Sequence, residues 1–182
     1  VHISQMCDRY IKHPLEVVKV GKVVVCSIID LDAICRVEAI CFPASEAATR
    51  ESLAARLKVF SRHFLLLEDE GTLIGFVNGM VTDARTISDV MFEQAELHKE
   101  DGKWQSVFGL DVLPEYRRKG YAGQLMRELI EHAREDGRCG CILTCKEHLL
   151  PYYTRFGFRN LGVSLSQHGG AVWYDMILEF SR

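Results

Sequence analysis

Residues 109–123 read Gly-Leu-Asp-Val-Leu-Pro-Glu-Tyr-Arg-Arg-Lys-Gly-Tyr-Ala-Gly: an apolar strand runs into a basic turn, and the turn into an amphipathic helix. Arg117, Arg118 and Lys119 stand where that helix begins, and the first backbone N–H groups of a helix have no partner within it. Gly120 and Gly123 let the main chain approach a bound group closely. Free amides, a helix N-terminus and cationic side chains in one place suit a diphosphate. The turn is not a Walker loop, because Gly-x-x-x-x-Gly-Lys-Ser/Thr does not occur, and Gly-x-Gly-x-x-Gly is missing after the strand, which excludes the dinucleotide fingerprint.

The elements that must hold this turn can be read along the chain. Lys22 to Ile28 is β-branched and predicts a first strand. Asp30 or Asp32 can cap a helix that places Ile34, Val37 and Cys41 on one face and stops at Pro43. Glu46 to Phe60 predicts a second helix, interrupted near Thr49, with Leu53, Leu57 and Phe60 aligned. His63–Glu68 and Thr72–Thr82 form a hairpin around Asp69-Glu70-Gly71, and Trp104 to Val112 is one further strand. Ala122, Leu125, Met126, Leu129, Ile130 and Ala133 recur at helical spacing, with Gly137 as the stop. Cys141 to Cys145 is strand-like. Pro151 opens and Gly157 ends a short helix, and Phe158–Ser164 and Ala171–Phe180 are the last strands, joined by Gln167-His168-Gly169-Gly170. The layout is mixed α/β around one central sheet, with residues 1–20 an extension of unknown role and 21–182 a single domain.

Arg117, Gly120 and Ala122 fill the Arg/Gln-x-x-Gly-x-Gly/Ala signature of the GNAT superfamily of acyl-CoA-dependent N-acetyltransferases. Further on, Pro151-Tyr152-Tyr153-Thr154-Arg155-Phe156-Gly157-Phe158 resembles the aromatic segment that closes the core of that family. Glu38-Ala39-Ile40-Cys41-Phe42-Pro43 and Glu46-Ala47-Ala48 make the chain most similar to the arylalkylamine N-acetyltransferase branch, in order over roughly residues 22–180. The resemblance implies a mostly antiparallel sheet in which one parallel strand pair splays apart to admit the pantetheine arm of acetyl-CoA. Leu110, Asp111 and Val112 would then bind that arm through their main chain, and the turn Arg117, Arg118, Lys119, Gly120, Tyr121, Ala122 and Gly123 would hold the pyrophosphate.

It also implies acetyl transfer to an amine by direct attack. Tyr153 stands at the tyrosine position of the family, and its phenol, ordinarily near ~10, can protonate the departing thiolate. Relatives carry histidine or glutamate on the strand before the turn as a base; here Ser106 and Phe108 occupy the matching positions, and neither takes up a proton at neutral pH. Glu38, Glu46, His168 or a water chain past Ser106 could substitute, although a histidine beside Gly-Gly reads as a turn residue; no base is assigned. Phe42 and Pro43 match the wall of the amine pocket, and Phe108 can add a ring. The long insertion Asp83–Lys103 is acidic and reads either as a solvated loop or as a lid whose field attracts a cationic amine. The alternatives are a non-catalytic acyl-CoA-binding regulator, for which the missing base speaks, and an acetyltransferase of protein N-termini or lysines.

Composition narrows the setting. The chain has 182 residues and a formal net charge of −3, which gives no pull toward nucleic acid or an anionic membrane. Its seven cysteines are odd in number and lie mostly in apolar runs, as free thiols in a reducing compartment do; neither Cys-x-x-Cys nor His-x-x-x-His occurs, and no metal is implied. The apolar run Val17–Leu31 is broken by Lys19, Lys22 and Asp30. A cytoplasmic monomer or homodimer acting on a small primary amine, arylalkylamine-like or polyamine-like, is expected.

Overall fold

Among the described residues, two hydrogen-bonded sheets meet where two neighbouring stretches of chain, at residues 78–81 and 107–109, pass from one to the other. The computed structural model describes residues 22–25 and 31–181; the expectations for residues 1–20, for the first strand beyond Val25 and for a cap at Asp30 lie outside the described residues. In the first sheet β1 (Lys22–Val25), β2 (Phe64–Asp69), β3 (Thr72–Asn78) and β6 (Gly109–Val112) are antiparallel neighbours in that order. In the second, β4 (Val81–Thr82), β5 (Trp104–Val107), β7 (Gly140–Cys145), β9 (Tyr174–Glu179) and β8 (Arg159–Val163) follow one another. Within it β5 and β7 run parallel. The mixed, mostly antiparallel α/β layout expected from the sequence is observed, with the one expected sheet divided into two hydrogen-bonded sheets.

The strand predicted over Trp104–Val112 is in fact two. At Phe108 the chain leaves β7 and joins β3, with the Phe108 N–H donating to the Asn78 carbonyl at 2.7 Å and the Ser106 N–H to the Met80 carbonyl at 2.9 Å. The partner run is broken opposite, between β3 and β4, at Gly79. A Cβ there would collide with the Ser106 carbonyl, so only glycine lets the two bends nest.

Among the described residues, five helices cover the sheets: α1 (Leu31–Cys41), α2 (Arg50–Phe60), α3 (Asp89–Glu93), α4 (Tyr121–Glu135) and α5 (Leu150–Thr154). The predicted stripe of α4 is buried through Leu125, Met126, Leu129, Ile130 and Ala133 and packs across β2, β3, β6 and β7. Each such large side chain contributes about 1.5–3 kcal/mol of apolar burial. Arg138 N–H to Ala133 carbonyl and Gly137 N–H to Arg134 carbonyl, both 2.9 Å, close the helix as a Schellman motif. The second helix starts at Arg50 and not at Glu46. Thr49 is extended (φ −70°, ψ 160°) and its side chain accepts from the Ser52 N–H, so it is the N-cap; Glu46 belongs to a turn closed on the Pro43 carbonyl.

Candidate active site

The parallel ladder between β5 and β7 runs from Trp104↔Gly140 to Val107↔Leu143 and stops. Beyond it, Gly109–Val112 pairs with β3 while Thr144 and Cys145 continue with β9. The facing edges of β6 and the end of β7 are therefore open, and main-chain donors and acceptors there, apart from the Val112 carbonyl, are left for another group. A cavity of about 730 Å³ sits over the opening, within the range of small-molecule sites. Its floor is Val107 to Leu110 from one strand and Leu143 to Cys145 from the other, with Tyr153 of α5 alongside. Asp111 and Val112 continue the same edge but are buried.

The basic turn follows β6. Arg118 (φ +61°) and Gly120 (φ +90°) are both left-handed, and Gly120 caps α4 with no side-chain hydrogen bond. A Cβ on Gly120 would touch nothing within 4 Å, so the space before the first amides is open, and the demand for glycine is conformational. The exposed turn residues divide by partner. Arg117 Nε donates to the Val112 carbonyl at 2.9 Å and so ties the turn to β6. The Lys119 ammonium lies over the Tyr116 ring at 5.1 Å, and Arg118 is exposed. Tyr121, Ala122 and Gly123 form the first helical turn, half-buried. On its outer side a groove of about 530 Å³ is walled by Gly123, Arg127, Tyr152, Arg155 and Phe156. The basic turn's own residues do not mark Arg127 and Arg155; the i+4 spacing of Gly123 and Arg127 is the local signal that sets Arg127 beside the turn.

Tyr153, Glu38, Glu46 and His168, the residues weighed as acid or base, all face the cavity. Tyr153 is buried, and desolvation pushes its phenol well above the ordinary value, with Cys145, Tyr152 and Asp111 adding to the shift. Glu38, 5% exposed, sits on the buried stripe of α1 with Ile34 and Val37. Its Oε1 accepts from the Ala48 N–H at 2.7 Å and its Oε2 has no hydrogen-bond partner. Burial raises its pKa, while the Ala48 N–H, Arg56 and His168 pull it down. Glu46 is ion-paired to Lys146 at 2.6 Å. The His168 Nε2 lies 2.9 Å from the Glu46 carbonyl, which fixes the proton on Nε2 in the neutral ring and leaves Nδ1 as acceptor. His168 is on the 168–170 turn as expected, yet its ring lines the cavity, stacked on Phe92 at 5.1 Å.

Other expectations need correction. Ser106 is fully buried with its hydroxyl donating to the Met80 carbonyl at 2.8 Å, so it offers no proton path. Pro43 is exposed on the turn before α2 and forms no part of the wall; Phe42 and Phe108 do, joined by Phe92 and Trp173. Arg56, buried beside them, stacks on Phe108 at 4.9 Å, and desolvation lowers its pKa to about 10. Cys145 lines the cavity, but burial pushes its thiol up to about 11, unlike an activated nucleophile.

The insertion forms a roof. Ser52 Oγ and Arg56 Nη2 both donate to the Phe92 carbonyl, at 3.0 and 2.8 Å, and Asp89 accepts from Ser166 Oγ and from the Gln167 N–H. Only Asp89 and Glu93 of its acidic residues reach the cavity. Asp83 pairs with Lys99, and Glu100 with the rings of His63 and His98. His98 Nδ1 accepts from the Val81 N–H at 3.1 Å, so its Nε2 carries the proton directed at Glu100 and is no metal ligand in that state.

Over residues 31–158 the chain matches the acetyltransferase (GNAT) family, and it belongs to that family. It is 27% identical over 124 residues to serotonin N-acetyltransferase of Mesocricetus auratus, covering 63% of this chain and 58% of that protein. The chain thus spans a little over half the length of the curated relatives it matches. It is also similar to the GphF GNAT-like decarboxylase in complex with isobutyryl-CoA (TM-score 0.65, 21% identity, 82% of this chain and 94% of that one). A GNAT family acetyltransferase from Brucella melitensis in complex with acetyl-CoA is similar with a TM-score of 0.53 and 20% identity, over 84% of this chain and 83% of that one. At such identities the structural likeness is one of fold.

Proposed function

We propose that this member of the acetyltransferase (GNAT) family moves an acetyl group from acetyl-CoA to the primary amine of a small molecule. The observation that carries the proposal is the open edge at Gly109–Val112 running straight into a helix N-terminus with a left-handed glycine. In this reading the pantetheine arm lies between β6 and β7, pairing with the main chain of Leu110 to Val112. The pyrophosphate rests on the amides of Arg118 to Gly123, with Arg127 and Arg155 beside it. Two relatives of the same fold hold acyl-CoA molecules.

An alkylamine titrates near ~10.4, so only about one molecule in 2,500 is neutral at pH 7. Glu38 is the base we assign: its Oε2 is unpartnered and is among the groups nearest the bare Cα of Gly109. Glu38 takes a proton from the bound ammonium, and the neutral nitrogen then bonds to the acetyl carbon. The carbon–sulfur bond breaks, the thiolate takes the proton of Tyr153, and the nitrogen's second proton returns to the tyrosinate. Backbone N–H groups on the open edge would stabilise the oxyanion.

The rings of Phe42, Phe92, Phe108 and Trp173 favour an arylalkylamine, and Glu51, Asp89 and Glu93 would draw in its positive charge. A roof held from two sides speaks for a small acceptor over a protein tail. His168, through Nδ1, is the second candidate base. Thiol release from acetyl-CoA across a panel of arylalkylamines, polyamines and peptides tests the proposal. Release that depends on an arylalkylamine is expected, and no release with any amine would overturn it.

A further inference from the structure

Asp111 is fully buried, and neither of its carboxyl oxygens has a nitrogen or oxygen partner. Asn78, which faces Gly109 across the β3–β6 pair, is equally buried, with both amide atoms unpartnered. Glu38 Oε2 is the third such group. All converge on one point: a Cβ built on Gly109 would lie 3.0 Å from Asp111 Oδ2, 3.2 Å from Asn78 Nδ2 and 3.7 Å from Glu38 Oε2. Buried polar atoms are nearly always paired, so a cluster of this kind calls for an explanation.

Two carboxyls so close in a buried chamber cannot both ionise at ordinary cost. Their surroundings decide which keeps a proton. Glu38 has a backbone N–H donor at 2.7 Å, with Arg56 on α2 and His168 as positive or titratable neighbours. Asp111 faces the Cys41 thiol of α1, a weak donor, with Arg117 and Tyr153 of α5 as its other electrostatic neighbours besides Glu38; the Nε of that arginine is already bonded to Val112. A carboxylate without donors is strongly disfavoured in such a place, whereas a neutral acid can itself donate.

We propose that Asp111 and Glu38 act as one carboxyl pair that holds a single proton at neutral pH, resident on Asp111, in a chamber kept open because residue 109 has no side chain. Asp111 is then a positioning residue. It leaves Glu38 as the sole anion, and the three polar groups around the chamber suffice to bind a bridging water between the acids. The catalytic consequence rests on Glu38 being the base; the place of the proton does not.

Infrared spectroscopy at neutral pH, on wild type, D111N and E38Q, reads the proton directly. A protonated-carboxyl carbonyl stretch is expected in wild type, retained in E38Q and absent in D111N. G109A, which places a methyl group in the chamber, should shift its frequency. No such band in wild type, or one that survives D111N, overturns the proposal. The acid limb of kcat/KM gives a second reading. An amide in place of a neutral acid should leave that limb within about 0.3 pH units of wild type. Removing an ionised Asp111 would instead pull it down by about one unit or more, since a like charge disfavours ionisation of its neighbour. Absence of acetyl transfer would remove the second reading and leave the infrared result to decide.

Discussion

Replacing Glu38 by glutamine isolates the proton-accepting step. The amide oxygen can keep the 2.7 Å bond from the Ala48 N–H, so α1 and the turn at residues 43–48 stay joined. The loss of the counter-charge to buried Arg56 costs about 1–3 kcal/mol at most. The reaction of E38Q then depends on amine that is already neutral, about one molecule in 2,500 at pH 7 and about one in ten at pH 9.5. A positioned base contributes about 10²–10⁴-fold. The expected result is a fall of that size in kcat/KM at pH 7, rising about tenfold per pH unit while wild type stays level over the same range. By pH 9.5 the neutral fraction has risen about 280-fold, and the gap should narrow by about that factor. Initial rates of thiol release from acetyl-CoA with phenethylamine, between pH 6 and 9.5, measure it. An E38Q rate within about threefold of wild type at pH 7, or two profiles that run parallel, would refute the assignment. If H168Q showed the narrowing gap in its place, His168 would be the base.

Three further outcomes are expected. Tyr153→Phe should lower kcat about 10²-fold or more while coenzyme A affinity by calorimetry stays near wild type; unchanged turnover removes the phenol from the acid role. Gly120→Val must adopt φ near +90°, at a cost of about 1–3 kcal/mol, and puts a branched side chain before the helix amides. The rise in Tm that coenzyme A gives wild type should be lost in G120V and only reduced in Arg118→Ala. Stability should also depend on pH through Asp111, whose pKa burial raises far above its usual value. A raised folded-state pKa gives stability that is complete below the unfolded value, ~3.9, and is lost as pH rises toward the folded one. D111N should therefore lack this loss, and its Tm advantage should grow between pH 4 and 8; a constant difference would mean Asp111 does not titrate this way.

The shape of the turn at 117–123 is legible because it lies in local backbone: a left-handed glycine and a helix start are written in neighbouring residues. The same holds for α4, whose buried stripe repeats within one element. The break at Phe108 was not legible, since it arises from Gly79 and Asn78 on another strand and nothing in Trp104–Val112 marks it. Glu38 was visible as a charge on an otherwise apolar helix face, the pattern of a buried ionisable group. Its neighbours Ala48, Arg56 and Asp111 come from three elements, and sequence spacing does not bring them together. Thr49 was read as an interruption and is a cap, which moved the helix start by one turn. Pro43 was assigned to the wall through its adjacency to Phe42, but successive residues on a turn face different ways.

The opened strand edge and the turn that follows it are the heart of this account, and amide hydrogen exchange reads both in one experiment. Saturating coenzyme A should slow exchange across Leu110–Val112 and Arg118–Gly123 together, with little change on β8. Ligand binding that leaves these amides exchanging at their free rates, or no binding at millimolar coenzyme A, would contradict it.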